Sequence, residues 1–222
     1  MHTKNDKNLQ NNYKVIKDDK VTEDDIRQAL ELDRKYYTIP KEEQFKIEKC
    51  LYWNRKTGYK VYTMIKDSET GDVVGYINAV PVNDKCYKEI KAGKYADAYI
   101  DDNDIICYDH YPIEPQKYNL YFASIVVEKK HRYEGTFVLS EAFFDKLIVL
   151  TKKNIIIQKM VADAVSPQGK SYCKRAGMKE IKNTEHDNST IYELELYPPN
   201  FIPRTPKQKE LMDKYKELES LN

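Results

Sequence analysis

The sequence lacks long apolar runs, clustered cysteines and an excess of either charge. No stretch approaches the roughly 20 apolar residues of a membrane span, and the polar N-terminal segment does not predict a signal peptide. The cysteines lie far apart, so no CxxC or Cys/His spacing predicts a metal site. These absences predict no metal, no membrane partner and a reduced, cytoplasmic setting.

Charge and length narrow the expected class of protein further. The 37 basic and 36 acidic residues give a net charge of +1, which argues against a dedicated nucleic-acid surface. A chain of 222 residues fits one domain with a proper core, and we expect a monomer or a homodimer. Glycine is scarce, with 7 residues, while tyrosine, lysine and asparagine are abundant. We interpret this as a compositional bias and not as a functional signal.

The first third of the chain predicts a strand, two helices and a hairpin. Residues 13–17 form the first strand, and Thr22 with Asp25 makes a capping-box-like start for a helix. Pro40 is predicted to open a second helix, which ends at Gly58. Apolar runs at 59–65 and 73–80 then predict a hairpin.

A strand followed by a basic loop and a helix is the most informative feature. Residues 118–127 are rich in tyrosine, leucine, isoleucine and valine and predict a strand. The segment 127–135 reads V-E-K-K-H-R-Y-E-G, and the helix predicted over 136–151 follows it. Gly135 allows a positive φ or a close approach to a ligand. The free N–H groups of a first helical turn favour an anion, such as a diphosphate. The alternative is a basic turn that only joins strand to helix.

A second motif lies at residues 166–178, which read S-P-Q-G-K-S-Y-C-K-R-A-G-M. Ser166 suits an N-cap, Pro167 suits the first helical position, and Gly177 suits the residue after the helix. A strand over 155–165 precedes this helix, and a late strand is predicted over 190–196.

Together the two segments resemble the signature motifs of the GNAT N-acetyltransferase superfamily. Val127, Arg132 and Gly135 match the first motif in register, while Phe137 stands where a small residue is expected. The resemblance implies an α/β (α+β) fold, a single GNAT-like domain whose mixed central sheet has about six to seven strands flanked by helices. It also implies that acetyl-coenzyme A binds at the following residues: Ile125, Val126, Val127, Arg132, Tyr133, Glu134, Gly135, Thr136, Phe137 and Ser166.

The resemblance further implies catalytic residues in the second motif. A tyrosine of this motif often protonates the departing thiolate in the superfamily. Cys173 occupies that position here, and Tyr172 lies one residue earlier, which is a rotation of about 100° on a helix. Both are candidates, and the alternative for Cys173 is a small buried residue.

The extra segment 83–117 offers candidates for the general base. It contains a short predicted helix and an acidic, tyrosine-rich stretch, and it is either a substrate lid or a solvated insertion. Glu114 is the leading candidate, with Asp109 and His110 beside it, whereas we expect His131 to contact an anion.

The predicted organisation has three parts. Residues 1–12 form a disordered tail, 13–197 the GNAT-like domain, and 198–222 a linker with a helix that docks on its own domain or on a partner. The predicted function is transfer of an acetyl group from acetyl-coenzyme A to a small or peptidyl amine. Two alternatives remain: an inactive domain that binds coenzyme A or a protein partner, and a structural protein that keeps only the fold.

Overall fold

A computed structural model describes residues 12–37, 44–94, 99–108, 112–184, 188–198 and 200–220. Seven strands form one mixed sheet in the order β1-β2-β3-β4-β5-β7-β6. The strands are β1 (Tyr13–Lys17), β2 (Tyr62–Asp67), β3 (Val73–Val82), β4 (Gln116–Val127), β5 (Ile155–Ala164), β6 (Lys179–Asn183) and β7 (Thr190–Glu195). The α-helices within the described ranges are α1 (Glu23–Tyr36), α2 (Ile47–Lys56), α3 (Asp84–Lys91), α4 (Arg132–Thr151), α5 (Pro167–Ala176) and α6 (Pro206–Ser220). The predicted fold class is confirmed.

The chain divides into two compact units. The first unit consists of Met1–Asn78 and Ser124–Phe143, and the second of Ala79–Ala123 and Phe144–Asn222. Strands β3 and β4 and helix α4 therefore each contribute residues to both units.

In the first unit, the register of the strands assigns side chains to two faces of the sheet. Strand β2 pairs antiparallel with both β1 and β3. Tyr62 lies opposite Asn78 and Met64 opposite Tyr76, so these four side chains share one face. Tyr76 hydrogen-bonds to Asp33 on α1, which shows that α1 covers this face. The opposite face carries two further pairs of the register, Thr63 with Ile77 and Ile65 with Gly75.

The N-terminus of α1 is fixed by its cap and by a buried ion pair. Thr22 and Asp25 form the predicted capping box. Lys66 on β2 contacts the Asp25 carboxylate at 2.5 Å. Burial opposes ionisation of Asp25, but hydrogen bonds from Lys66 and Thr22 outweigh it and lower the pKa of this carboxyl. Local sequence and one long-range contact thus anchor α1 on the sheet.

In the second unit, β5 is the central strand. It pairs parallel with β4 and antiparallel with β7, and β7 in turn pairs antiparallel with β6. Helix α3 packs on β5 and β7, and α5 packs on β5 and β6. The hydroxyl of Tyr215 on α6 accepts a hydrogen bond from the Ile157 N–H at 3.0 Å. The C-terminal helix therefore docks on its own chain, as one of the two predictions had it.

The largest differences from the sequence predictions are the starts of two helices and one strand that was not predicted. Residues 44–46 are not helical and α2 begins at Ile47, whereas Pro40 lies outside the described residues. Strand β6 was not predicted, because its five residues are exposed and mostly polar. Helix α4 begins at Arg132, four residues before the predicted start. Among the described residues, no helix is both long and apolar enough to cross a membrane.

Candidate functional site

Strand β4 extends beyond its parallel partner. The paired register of β4 and β5 runs from Gln116 with Ile155 to Tyr121 with Val161. Strand β4 then continues for six more residues to Val127. The pairing with β5 therefore ends halfway along β4, and the second half of this strand belongs to the first unit from Ser124 onward.

The backbone groups of Ile125 and Val127 lie on the edge of β4 that faces away from β3. The Glu128 N–H donates to the Val74 carbonyl of β3 at 2.8 Å. Successive residues of a strand direct their N–H and C=O groups to opposite sides, so residues 127 and 125 direct theirs away from β3. An edge with N–H and C=O groups of this kind can bind an extended amide chain.

The C-terminal end of α1 holds this edge and the loop that follows. Tyr37 donates a hydrogen bond to the Ile125 carbonyl at 3.4 Å, and the Tyr36 hydroxyl accepts one from the Lys129 N–H at 3.0 Å. Lys35 forms an ion pair with Glu128 at 2.8 Å. The last two residues of α1 and its C-cap residue Tyr37 thus position the end of β4 and its loop.

The loop between β4 and α4 is shorter than the sequence predicted. Lys129–His131 form a 3-10 turn, and α4 continues directly from it at Arg132. In a helix that begins at Arg132, the N–H groups from Gly135 onward bond to the carbonyl four residues earlier. The Arg132 N–H donates to the Lys129 carbonyl. Of the residues from 132 to 137 that were predicted to bind the coenzyme, only Tyr133 and Glu134 in the first turn therefore keep backbone N–H groups available for a diphosphate.

Gly135 is required by packing, not by a positive φ. A Cβ at this position would lie 2.9 Å from Ile65 Cδ1 and 3.0 Å from Val127 Cγ1. A Cβ on Gly75 of β3 would meet the same two side chains, at 3.2 and 3.1 Å. The two glycines let the start of α4 pack closely on the sheet, which corrects the expectation that Gly135 serves a special backbone conformation.

Some side chains of the first motif are exposed to solvent, whereas His131 contacts residues of β1 and β2. Tyr133 is 89% exposed and Phe137 is 49% exposed, while Glu134 is exposed and Arg132 half-buried. The ring nitrogens of His131 instead face the Tyr13 hydroxyl at 3.0 Å and the Asp67 carboxylate at 3.5 Å. An anion bound by His131, as predicted, would have to compete with Tyr13 and Asp67 for the ring nitrogens.

The second motif forms the predicted helix. Ser166 caps α5 by accepting from the Gly169 N–H at 3.0 Å, and Gly177 adopts φ 90° after its last turn. Tyr172 stacks on Phe122 with ring centroids 5.8 Å apart. Cys173 is buried, and burial raises the pKa of its thiol to about 12. A thiol with this pKa donates protons poorly near neutral pH, which favours the interpretation of Cys173 as a core residue.

A polar cluster that sequence reasoning missed lies on the face of the first unit covered by α1. We call it the Asp33 cluster: Asp33, Tyr62, Tyr76, Asn78 and Ser124. Tyr76 donates to the Asp33 carboxylate at 2.5 Å, and Ser124 of β4 donates to the Tyr76 hydroxyl at 3.3 Å. The Tyr62 and Tyr76 rings lie 6.2 Å apart. Three elements, α1, β3 and β4, are thus joined by one chain of hydrogen bonds.

Burial dominates the electrostatics of this cluster. Burial raises the pKa of the Asp33 carboxyl, although the hydrogen bond from Tyr76 and the charge of Arg34 oppose the shift. Burial and the Asp33 charge also hold the pKa of Tyr76 well above its usual value. A carboxyl group whose pKa is raised towards neutrality suits a proton acceptor.

Of the comparisons with known proteins, only the comparison with solved structures found similar proteins. No family model matches the sequence. No curated protein matches it either. Among solved structures, the NatC complex bound to Gag peptide and CoA aligns with TM-score 0.53 and 12% identity over 82% of this chain and 98% of that one. A Drosophila melanogaster polyamine N-acetyltransferase aligns with TM-score 0.53 and 12% identity over 82% and 99%.

A third similar structure belongs to a named acetyltransferase family. It is a putative acetyltransferase of the GNAT family from Desulfovibrio desulfuricans, with TM-score 0.51 and 15% identity over 82% of this chain and 98% of that one. The chain has the GNAT fold. At these identities the likeness shows the fold alone, and it extends across most of each chain.

Of the three residues predicted as candidates for the general base, the structure describes only Glu114. Glu114 is exposed in the segment before β4, and Asp109 and His110 lie outside the described residues. The described part of the insertion is packed, since Ile100 and Ile105 are each 1% exposed and Ile105 pairs with Val82. This packing favours a structural insertion for residues 99–108.

Sequence reasoning missed the Asp33 cluster for a clear reason. Asp33, Tyr76 and Ser124 lie in three separate segments, and none belongs to a motif. The one available signal was a tyrosine and an asparagine on a strand otherwise made of small and aliphatic residues, in the sequence VVGYINAVPV.

Proposed function

We propose that this protein is an acetyl-coenzyme A-dependent N-acetyltransferase that acts on an amine acceptor. The observation that carries the proposal is the second half of β4, which leaves its pairing with β5 at Tyr121 and leads through a basic turn into α4. An open strand edge followed by a helix N-terminus suits a ligand that joins an amide-containing arm to a diphosphate. The GNAT fold shared with acetyltransferases supports the same activity.

The residues of the first unit fit this ligand. The edge groups of Ile125 and Val127 are assigned to the pantetheine arm, and the first-turn N–H groups of Tyr133 and Glu134 to the diphosphate. Lys129 is exposed beside this turn and adds positive charge. When bound, the thioester supplies an activated acetyl group with a thiolate as its leaving group. Ser166 and Tyr172 of the second unit are assigned by the resemblance, Tyr172 as the proton donor.

The acceptor is proposed to be a primary amine on a small molecule or a peptide. Two of the similar structures are described with a peptide and with polyamine acetylation respectively. Both acceptors present an amine that is protonated at neutral pH. An enzyme for either must therefore remove a proton before nitrogen can attack the acetyl carbon.

The first experiment measures thermal unfolding with and without acetyl-coenzyme A. A ligand at about 100 times its Kd adds roughly 2.7 kcal/mol to the unfolding free energy. For a chain of this size, each kcal/mol raises Tm by about 2–4 °C. We expect a rise of several degrees, followed by thiol release when a polyamine or a peptide with a free N-terminus is added.

A matched pair of variants locates the diphosphate. Tyr133→Pro deletes one N–H of the first turn, where proline is tolerated, and Tyr133→Ala removes the same exposed side chain but keeps the N–H. We expect Tyr133→Pro to weaken acetyl-coenzyme A binding about tenfold, the loss of one charge-assisted hydrogen bond, and Tyr133→Ala to bind nearly as the wild type. Equal binding by both variants would contradict the assignment of this turn.

The competing candidate is a GNAT-like domain without turnover. Phe137, which stands where a small residue is expected, and Cys173, which stands where a tyrosine is expected, favour it because both depart from the superfamily pattern. A rise in Tm without thiol release across the amine panel would establish this candidate. No rise at millimolar acetyl-coenzyme A would exclude turnover and coenzyme A binding, and would leave a domain that binds a protein partner or keeps only the fold.

A further inference from the structure

We propose that Asp33, Tyr76 and Ser124 form a proton relay that deprotonates the acceptor amine, and that Asn78 accepts a hydrogen bond from this amine. The inference deepens the acetyltransferase function proposed above and rests on it. It assigns the general base to α1 and β3, and not to the segment before β4.

The direction of the hydrogen bonds supports the relay. Ser124 donates to Tyr76, and Tyr76 donates to Asp33, so both hydroxyl protons already point towards the carboxylate. A proton that arrives on the Ser124 oxygen displaces the Ser124 proton to Tyr76 and the Tyr76 proton to Asp33. Each transfer breaks one O–H bond and forms the next, and the negative charge of Asp33 is neutralised at the end.

Asp33 is a better proton acceptor than an ordinary paired carboxylate. Among the described residues it forms no ion pair, and its shortest contact is the neutral Tyr76 hydroxyl. The ionisable groups that act on it or lie in its cluster are Arg34 on α1, Cys50 on α2, Tyr62 on β2 and Tyr76 on β3. Of these only Arg34 carries a positive charge, and Arg34 is exposed. The carboxylate therefore keeps an affinity for a proton that a direct cationic partner would remove.

Asn78 provides the second, independent observation. Its side chain is 6% exposed, and its Oδ1 atom is buried without a hydrogen-bond partner in the described part of the chain. A buried acceptor without a donor costs about 1–3 kcal/mol, which an N–H group of a ligand or a water molecule would recover. Asn78 shares its sheet face with Tyr62 and Tyr76 through the β2–β3 register. An N–H of a bound amine on this face would satisfy Oδ1.

The reaction balances with these groups. The ammonium of the acceptor gives one proton through Ser124 and Tyr76 to Asp33 and becomes a neutral amine. The amine nitrogen then forms the C–N bond to the acetyl carbon, the C–S bond breaks, and its electron pair leaves on sulfur. The departing sulfur takes a proton from Tyr172, the second proton of the nitrogen restores the Tyr172 hydroxyl, and Asp33 later releases its proton to water.

The test compares Asp33→Asn with Asp24→Asn, which makes the same change on the exposed face of α1. Each variant is assayed for acetyl-coenzyme A binding by its Tm shift and for kcat/KM from pH 4 to 9, with a polyamine as acceptor. For Asp33→Asn we expect unchanged coenzyme binding, a turnover rate reduced by at least about a hundredfold, and loss of the acid limb of the pH profile. Asp24→Asn should match the wild type.

Asn78→Ala provides the second variant. It removes the proposed contact to the amine without adding bulk, so we expect KM for the amine to rise about tenfold while kcat changes little. A purely structural role would lower Tm without separating KM from kcat.

The outcomes separate the two proposals. If the wild type turns over and Asp33→Asn keeps both its rate and its acid limb, the relay is wrong and the acetyltransferase function stands. If Asp33→Asn loses coenzyme binding together with rate, Asp33 is structural and the relay is again wrong. If the wild type neither binds acetyl-coenzyme A nor releases thiol, both proposals fall.

Discussion

The protein contains two clusters in which a tyrosine donates to a carboxylate, and they differ in whether a cation pairs with that carboxylate. In the first unit, Tyr76 donates to Asp33 at 2.5 Å. In the second unit, Tyr87 donates to Glu193 at 2.9 Å, and Lys91 contacts both oxygens of the same carboxylate at 2.8 and 2.7 Å. Glu193 therefore has a cation that neutralises it, whereas Asp33 has none within ion-pair distance in the described ranges.

This difference separates a structural role from a reactive one. The Glu193 carboxylate accepts from both Tyr87 and Lys91 and so connects α3 to β7. The half-buried Asp33 carboxylate has no cation within ion-pair distance in the described ranges, and its pKa is raised, which increases its affinity for a proton. A tyrosine–carboxylate pair can thus connect two elements or accept a proton, depending on whether a lysine pairs with the carboxylate.

The strongest test makes the same change in both clusters. Tyr76→Phe and Tyr87→Phe each delete one buried hydroxyl, so we expect each to lower the unfolding free energy by about 1–2 kcal/mol. Tyr76→Phe should also slow turnover by about a hundredfold because it interrupts the relay, whereas Tyr87→Phe should keep full activity. The measurements are urea unfolding and thiol release. Equal activities of the two variants would remove the functional distinction between the clusters.

A second test removes the cation that distinguishes the clusters. Lys91→Met leaves Glu193 buried with only Tyr87 as a partner, and we expect a loss of about 2–3 kcal/mol, below the range for a fully buried pair because Lys91 is 37% exposed. Lys88→Met, on the exposed side of α3, is the control and should change stability by less than about 0.5 kcal/mol. A near-neutral Lys91→Met would show that Glu193 does not need its cation.

The test with the smallest expected effect measures how the free energy of unfolding depends on pH. Because the pKa of Asp33 is raised in the folded state, the folded protein binds more protons than the unfolded chain from pH near 3.8 up to the folded pKa. Its contribution to the unfolding free energy is therefore highest below pH 3.8, falls as pH rises through the folded pKa, and is constant above it. Urea unfolding of wild type and Asp33→Asn over pH 4–7 should show a difference with this slope. A difference of opposite slope would mean that the fold prefers the charged carboxylate.

The two motifs show which features of the helices could be predicted from neighbouring residues in the sequence. Helix α5 has the predicted cap at Ser166 and the predicted glycine at 177, because capping and a positive φ depend on neighbouring residues. The start of α4 was predicted four residues late, because Gly135 was interpreted as a loop residue. Its actual constraint comes from Ile65 and Val127, which lie on two different strands. The roles of Tyr172, Cys173, Glu114 and the coenzyme-binding residues stay predictions.

The sequence by itself determined the order of the helices and of every strand except β6, the caps of α1 and α5, and the resemblance that the GNAT fold then confirmed. These follow from hydrophobic periodicity and short-range hydrogen bonds, which neighbouring residues specify. Only the tertiary structure decided where β4 leaves β5, why Gly135 has no side chain, and which polar groups meet around Asp33. Each depends on contacts between residues far apart in the chain, such as Asp33, Tyr76 and Ser124, and a hydrogen bond of 2.5 Å leaves no trace in the local sequence.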